Sequence, residues 1–148
     1  MQPRSDSLFH FTKSIDHLKG ILQHGFKPRY SLEDSELLGI EYTGIPMTCF
    51  CDIPISRISE HTAFYGDYGI GMTKEWGRRN SLHPLLYAVP GAVISESIST
   101  LVGITEAKPR DSKKVEDLKY EASSLVFELI PYVKPIVGKI IVAGAIVE

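Results

Sequence analysis

His10 stands in the run Leu8-Phe9-His10-Phe11-Thr12, an apolar stretch whose one titratable group is an imidazole. A neutral imidazole donates at one ring nitrogen and accepts at the other, and it changes charge near neutrality. In an extended segment Leu8 and His10 share a face, and the turn Thr12-Lys13-Ser14 follows beside them. Imidazole and hydroxyl together could then hold a ribose or a carbonyl. The same residues also allow a structural use, with His10 bonded to backbone in the core. The second candidate is Tyr65-Gly66-Asp67-Tyr68-Gly69-Ile70-Gly71. Glycines let a backbone approach a flat ligand, and Tyr65 and Tyr68 offer stacking faces with hydroxyl tips. Spacing alone equally allows a glycine-rich turn whose tyrosines pack on the core.

The remaining reactive side chains say less. Cys49 and Cys51 are the only 2 cysteines, too few for a disulfide framework. Two apart in an extended segment, their Cα atoms lie roughly 6.6 Å from each other, near the upper limit for a bridge. Reduced thiols are expected. Cys49, Cys51 and His61 fall short of a four-ligand zinc set, so no metal is expected. His17 and His24, one heptad apart, read as a solvated helix face. Neither phosphate-binding fingerprint is present, and no histidine accompanies a nucleophile elbow.

Several elements must position these groups. Leu8–Phe11 reads as a strand. Ser14 is a good N-cap for a helix over Ile15–His24, with Ile15, Leu18 and Leu22 on one stripe and Gly25 as its stop. Pro28 and the acidic stretch Glu33–Glu36 predict a surface loop. Alternation over Ile45–Ile53 predicts a strand with Met47, Cys49, Cys51 and Ile53 on one face, ended by Pro54. A helix is expected from Ser56 to about Tyr65, a helical turn over Lys74–Arg79, a strand over Leu85–Val89 and a helix over Val93–Val102. A charged connector follows at Lys108–Lys114. Val115–Ile130 is the best amphipathic helix, with Leu118, Ala122, Leu125, Val126 and Leu129 at 3–4 spacing. The tail from Gly138 to Glu148 is β-branched and reads as a last strand or an exposed apolar edge.

The chain has 148 residues, 43% hydrophobic and 23% charged, with 12 Gly and 9 Pro. That is enough for one domain over residues 1–148 with a real core, and it excludes collagen, coiled-coil and disordered classes. The net charge of −2, from 16 basic and 18 acidic side chains, argues against broad nucleic-acid binding. The N-terminal residues carry no apolar signal core, and the longest apolar stretch is too short for a bilayer. A cytoplasmic protein with no membrane contact is expected.

Longer runs carry a resemblance. Leu8-Phe9-His10-Phe11-Thr12 followed by Leu18 to Gly25 is similar to the opening of ADP-ribosyltransferase-like domains in bacterial defence proteins. Met47-Thr48-Cys49-Phe50-Cys51-Asp52-Ile53-Pro54, then His61, then Tyr65 through Gly77, then His83-Pro84-Leu85-Leu86-Tyr87, resembles the AbiGi family of abortive-infection, phage-resistance antitoxins. The likeness is strongest over residues 7–90, and residues 91–148 diverge. It implies an α+β fold, a split β-sheet with flanking helices. It also implies NAD as a substrate rather than a bound cofactor. His10 would bind ribose, Thr12 would help position it, and Tyr65 or Tyr68 would stack on nicotinamide. The superfamily's late glutamate, which supports the oxocarbenium-like transition state, has no counterpart here. Lys134-Pro135-Ile136-Val137-Gly138 fits the turn before it, but no Glu-Trp-Arg follows. Glu121, Glu128 and Glu148 lack the expected neighbours, so no catalytic acid is assigned.

Two functions follow as expectations. One is a phage-defence protein with a nucleotide pocket of impaired catalysis. The other is a non-catalytic antitoxin or binding module facing a partner toxin or phage protein. A homodimer through the C-terminal tail is a further expectation, and a housekeeping domain is the plain alternative.

Overall fold

The computed structural model describes residues 6–36, 39, 41–106, 113–142 and 145–147, with side chains described as far as Lys139. It mixes helices and strands, and the chain gathers into two compact units. One unit holds residues 1–29 and 47–83, the other residues 30–46 and 84–148.

The first unit is built on a two-stranded antiparallel ladder, β1 (Ser7–Thr12) against β4 (Tyr68–Thr73). Its register pairs Phe9 with Gly71, Phe11 with Gly69, His10 with Ile70 and Thr12 with Tyr68. The glycines are what make this ladder possible. A Cβ at Gly69 would come within 2.7 Å of the Phe11 ring, and one at Gly71 within 3.0 Å of Phe9. The rings therefore lie across the bare partner strand, stacked on each other with centroids 6.0 Å apart. Tyr68–Thr73 is thus strand where a glycine-rich turn was one of the readings.

Helix α1 (Ile15–His24) follows β1 as expected. The Ser14 hydroxyl accepts from the Asp16 amide at 3.1 Å, and Gly25 (φ 77°) donates back to the Ile21 carbonyl at 2.8 Å. Helix α2 (Ser59–Tyr65) is preceded by a 3-10 turn over Ile55–Arg57. Helix α3 (Lys74–Arg79) starts at Thr73, whose hydroxyl accepts from the Trp76 amide at 3.1 Å.

The second unit holds β2 (Arg29–Asp34) paired with β3 (Tyr42–Met47), apart from their end residues Arg29 and Met47, and β5 (Leu86–Ala88) parallel to β6 (Val133–Pro135). It also holds helices α4 (Val93–Glu106) and α5 (Lys113–Leu129), and a hairpin of β7 (Ile140–Val142) with β8 (Ala145–Val147). Ser95, buried near the start of α4, donates to the Val89 and Ala92 carbonyls, each at 2.8 Å. Glu33 pairs with Lys134, and the Lys139 amide donates to Asp34 at 3.0 Å. Among the described residues Ile45 and Ala88 are the buried apolar side chains, and only Ala88 is fully enclosed.

Three sequence expectations are corrected. Arg29–Asp34 is a strand rather than loop, because its carboxylates meet Lys134 and Lys139 instead of water. The strand expected over Ile45–Ile53 runs Tyr42–Met47, and beyond it only Cys51 makes a bridge, to Phe9. The connector predicted over Lys108–Lys114 gives its last two residues to α5, while 107–112 lie outside the described residues. The tail does form strands, but its side chains from Ile140 onward also lie outside the description, including those of the expected dimer surface. The described strands form two-stranded sheets only.

Candidate functional site

His10 projects from β1 into a ring cluster. Its centroid is 5.5 Å from Phe26 and 5.6 Å from Phe50, and those two rings are 4.9 Å apart. Trp76 of α3 closes the group at 5.4 Å from Phe26 and 5.5 Å from Phe50. Edge-on and tilted contacts of this kind are how aromatic rings pack in cores. The His10 Nδ1 lies 2.8 Å from the Cys49 carbonyl oxygen. A carbonyl only accepts, so Nδ1 carries the proton. The backbone of Cys51 exchanges two hydrogen bonds with Phe9, at 2.8 and 2.9 Å. His10 and Phe9 together thus pin the segment after β3.

The other three candidates do not all join it. Thr12 is buried, and its hydroxyl accepts from the Ser14 amide at 3.4 Å. Tyr68 stands opposite Thr12 in the ladder and is 40% exposed. Direct cross-strand partners share a face, so His10, Thr12 and Tyr68 occupy one side. Tyr65 goes elsewhere. Its ring meets His61 at 4.9 Å, and His61 meets Phe11 at 6.4 Å. Phe11 alternates with His10 along β1, so this second group lies on the opposite side of the ladder.

The thiols differ in environment. Cys49 is exposed, with its Sγ 3.4 Å from the Met47 Sδ. Burial pushes the Cys51 thiol above its ordinary range. Among the described residues no three His, Cys, Asp or Glu side chains gather as metal ligands, and no helix is long and apolar enough to cross a membrane.

The second unit offers a different kind of surface. Helix α5 has 17 residues and not one of them is buried. Leu118 is 56% exposed, Leu125 55% and Leu129 56%, all on one flank at 3–4 spacing. Tyr120 and Phe127 are exposed on another flank. Where α5 meets α4 a cavity of about 40 Å³ opens, lined by Ile45, Ile98, Leu101, Val126, Leu129 and Val133, with Glu33 and Asp34 on its polar side. Pockets for drug-sized ligands run to roughly 300–1,000 Å³. This one has room for the tip of an apolar side chain, not for a dinucleotide. The 3–4 spacing in the sequence showed the helix; it did not show which stripe would stay uncovered, nor the partners Phe26, Phe50 and Trp76 of His10.

Comparison with known proteins bears on most of the chain. Residues 25–136, more than half of it, match the family model described as "Putative abortive phage resistance protein AbiGi, antitoxin". An abortive phage resistance protein AbiGi from Lactococcus lactis subsp. cremoris is 30% identical over 125 residues, covering 76% of this chain and 50% of the relative. The chain therefore spans about half the length of this curated relative. No solved structure matches.

Proposed function

We propose, for a chain that belongs to the AbiGi family of abortive phage resistance proteins, a phage-defence role as an antitoxin that works by holding a partner protein. One observation carries this reading: the α4–α5 pair leaves α5 without a buried residue and keeps an apolar cavity open beside it. Large apolar side chains in contiguous exposure mark surfaces that another protein covers. Burying Leu118, Leu125 and Leu129 in such a contact would contribute on the order of 1 kcal/mol each, since each is already half enclosed.

The ADP-ribosyltransferase reading has less behind it. The His10 Nδ1 is engaged by the Cys49 carbonyl, Thr12 is buried, and Tyr65 lies across the ladder from both. The binding reading needs no catalytic acid.

The test is growth rescue. The genes neighbouring this one are expressed singly, and growth inhibition by one of them should be relieved when the chain is co-expressed. Leu101→Asp, which puts a charge at the cavity, should abolish rescue while circular dichroism stays native. If the wild-type chain gives no rescue, the antitoxin role is wrong.

A further inference from the structure

We infer that Met47, Cys49 and Cys51 form a sulfur site for a soft cation, and that the cation is monovalent copper. The contacts of this segment sort its side chains to two sides. The Phe50 ring packs against His10, Phe26 and Trp76, and the Thr48 hydroxyl is buried. Cys49, between them, is exposed, and its Sγ donates to the Met47 Sδ at 3.4 Å. Cys51 is bridged to Phe9 in antiparallel fashion, and direct cross-strand partners share a face. Phe9 alternates with His10 along β1, so Cys51 stands on the side away from the His10 rings. Phe50 takes the His10 side, and the two cysteines flank it in the chain. The thiols of Cys49 and Cys51 and the Met47 thioether thus belong to one side, with two of the sulfurs already in contact.

The backbone that carries these donors is held by groups other than the sulfurs. The Cys49 carbonyl accepts from His10 at 2.8 Å, and Cys51 exchanges backbone hydrogen bonds of 2.8 and 2.9 Å with Phe9. Met47 is the last residue of β3. A site held this way loses little freedom when it is filled. Metal–thiolate bonds of roughly 2.3 Å place two donors of a trigonal site about 4 Å apart. Side-chain rotation alone therefore opens the contact between Met47 and Cys49 enough to admit a cation.

Donor chemistry selects the ion. Two thiols and a thioether are soft ligands of the kind that suits monovalent copper. A structural zinc takes four ligands, and thioether is not among its usual ones. Among the described residues no third His, Cys, Asp or Glu joins the two cysteines. Magnesium and calcium require oxygen donors. Binding forms two copper–thiolate bonds and one copper–thioether bond. It releases the two thiol protons to solvent and leaves the oxidation state of the copper unchanged. This inference is independent of the antitoxin reading and concerns the other unit of the chain.

The experiment titrates the full chain, reduced and under nitrogen, into monovalent copper held by the coloured chelator bicinchoninate. The chain should withdraw one copper per molecule, read as loss of the chelate colour. Cys49→Ser changes an exposed position, so its circular dichroism should stay native while uptake is abolished. Cys51→Ser should abolish uptake as well. Met47→Leu should keep the stoichiometry and weaken binding on the order of tenfold, the lower end of what a supporting contact contributes to metal affinity. His61→Ala should leave uptake unchanged. No uptake by the native chain, full uptake by Cys49→Ser, or loss of uptake in His61→Ala would overturn the inference. Displacement of the copper by an equal amount of zinc would also overturn it, since a borderline cation would then be the occupant. So would one copper shared by two chains in sedimentation, because the site would then lie between copies.

Discussion

The His10 imidazole donates from Nδ1 to the Cys49 carbonyl oxygen at 2.8 Å, across 39 residues of sequence. That bond gives the histidine a structural task. It fixes the tautomer, orients the ring against Phe26 and Phe50, and ties β1 to the segment after β3. His10→Ala should cost about 1–3 kcal/mol in urea unfolding, from lost ring packing and an orphaned carbonyl. His10→Asn, whose amide nitrogen can take the place of Nδ1, should recover about 1 kcal/mol of it. Equal midpoints for all three proteins would show the bond to be incidental.

The same commitment sets the expectation for NAD. A ligand present at 100 times its dissociation constant adds about 2.7 kcal/mol of stability. Millimolar NAD is expected to leave the thermal midpoint where it is. A clear upward shift that disappears in a folded His10→Ala variant would restore the nucleotide pocket.

Much of this was legible before any coordinates. Ser14 and Gly25 marked the ends of α1, and the 3–4 spacing from Leu118 to Leu129 marked α5, because caps and helical stripes are local signals. Local reading failed where the deciding partner is distant. Alternation through Cys49 and Cys51 suggested a continuous strand, yet ladder pairing to β2 stops at Met47, and only Phe9 meets Cys51. The acidic run at Glu33–Glu36 looked like solvent-facing loop because Lys134 and Lys139 are about a hundred residues away. For the candidate site, Leu8 and His10 share a face in the sequence reading, whereas Thr12, read there as the start of a turn, is the last residue of β1 and pairs with Tyr68. The separation of Tyr65 from Tyr68 depends on where α2 ends, and no pattern in the segment carries it.

Gly66 and Gly69 make different demands. At Gly66 (φ 110°) an added Cβ would come within 2.5 Å of the Lys13 backbone, which cannot yield. At Gly69 it would meet the Phe11 ring, which can. Gly69→Ala should cost about 1–3 kcal/mol and be partly recovered by Phe11→Leu. Gly66→Ala should cost more and gain nothing from any side-chain change nearby. Chemical denaturation of the three variants separates the cases.

The two thiols should react at different rates. Burial holds the Cys51 thiol protonated above the ordinary thiol range. Its raised folded-state value favours the fold below the ordinary thiol pKa, and that contribution is lost as pH rises through the raised value. With a chromogenic disulfide reagent at pH 8, Cys49 should react first and Cys51 slowly. The slow phase should quicken as pH climbs past the ordinary thiol range, and Cys49→Ser should remove the fast phase only.

Thr43 in β3 has a buried hydroxyl with no hydrogen-bond partner among the described residues. Valine has the same shape without the polar atom and suits a strand. Thr43→Val should therefore leave stability unchanged or raise it by up to about 1 kcal/mol. A loss beyond that range in thermal melts would show the hydroxyl to be satisfied in solution.

The ladder register has a consequence for biosynthesis. Thr12 finds its partner in Tyr68 and Ser7 finds its own in Thr73, more than fifty residues downstream. At typical elongation of about 5–20 residues per second, Phe9 and Phe11 would wait on the order of several seconds for β4 to leave the ribosome. Throughout that interval two aromatics on one face are displayed on a nascent strand with open edges, a natural target for holdase chaperones. The speed at which a cell can arm this protein is thereby coupled to how quickly its message is read through that stretch.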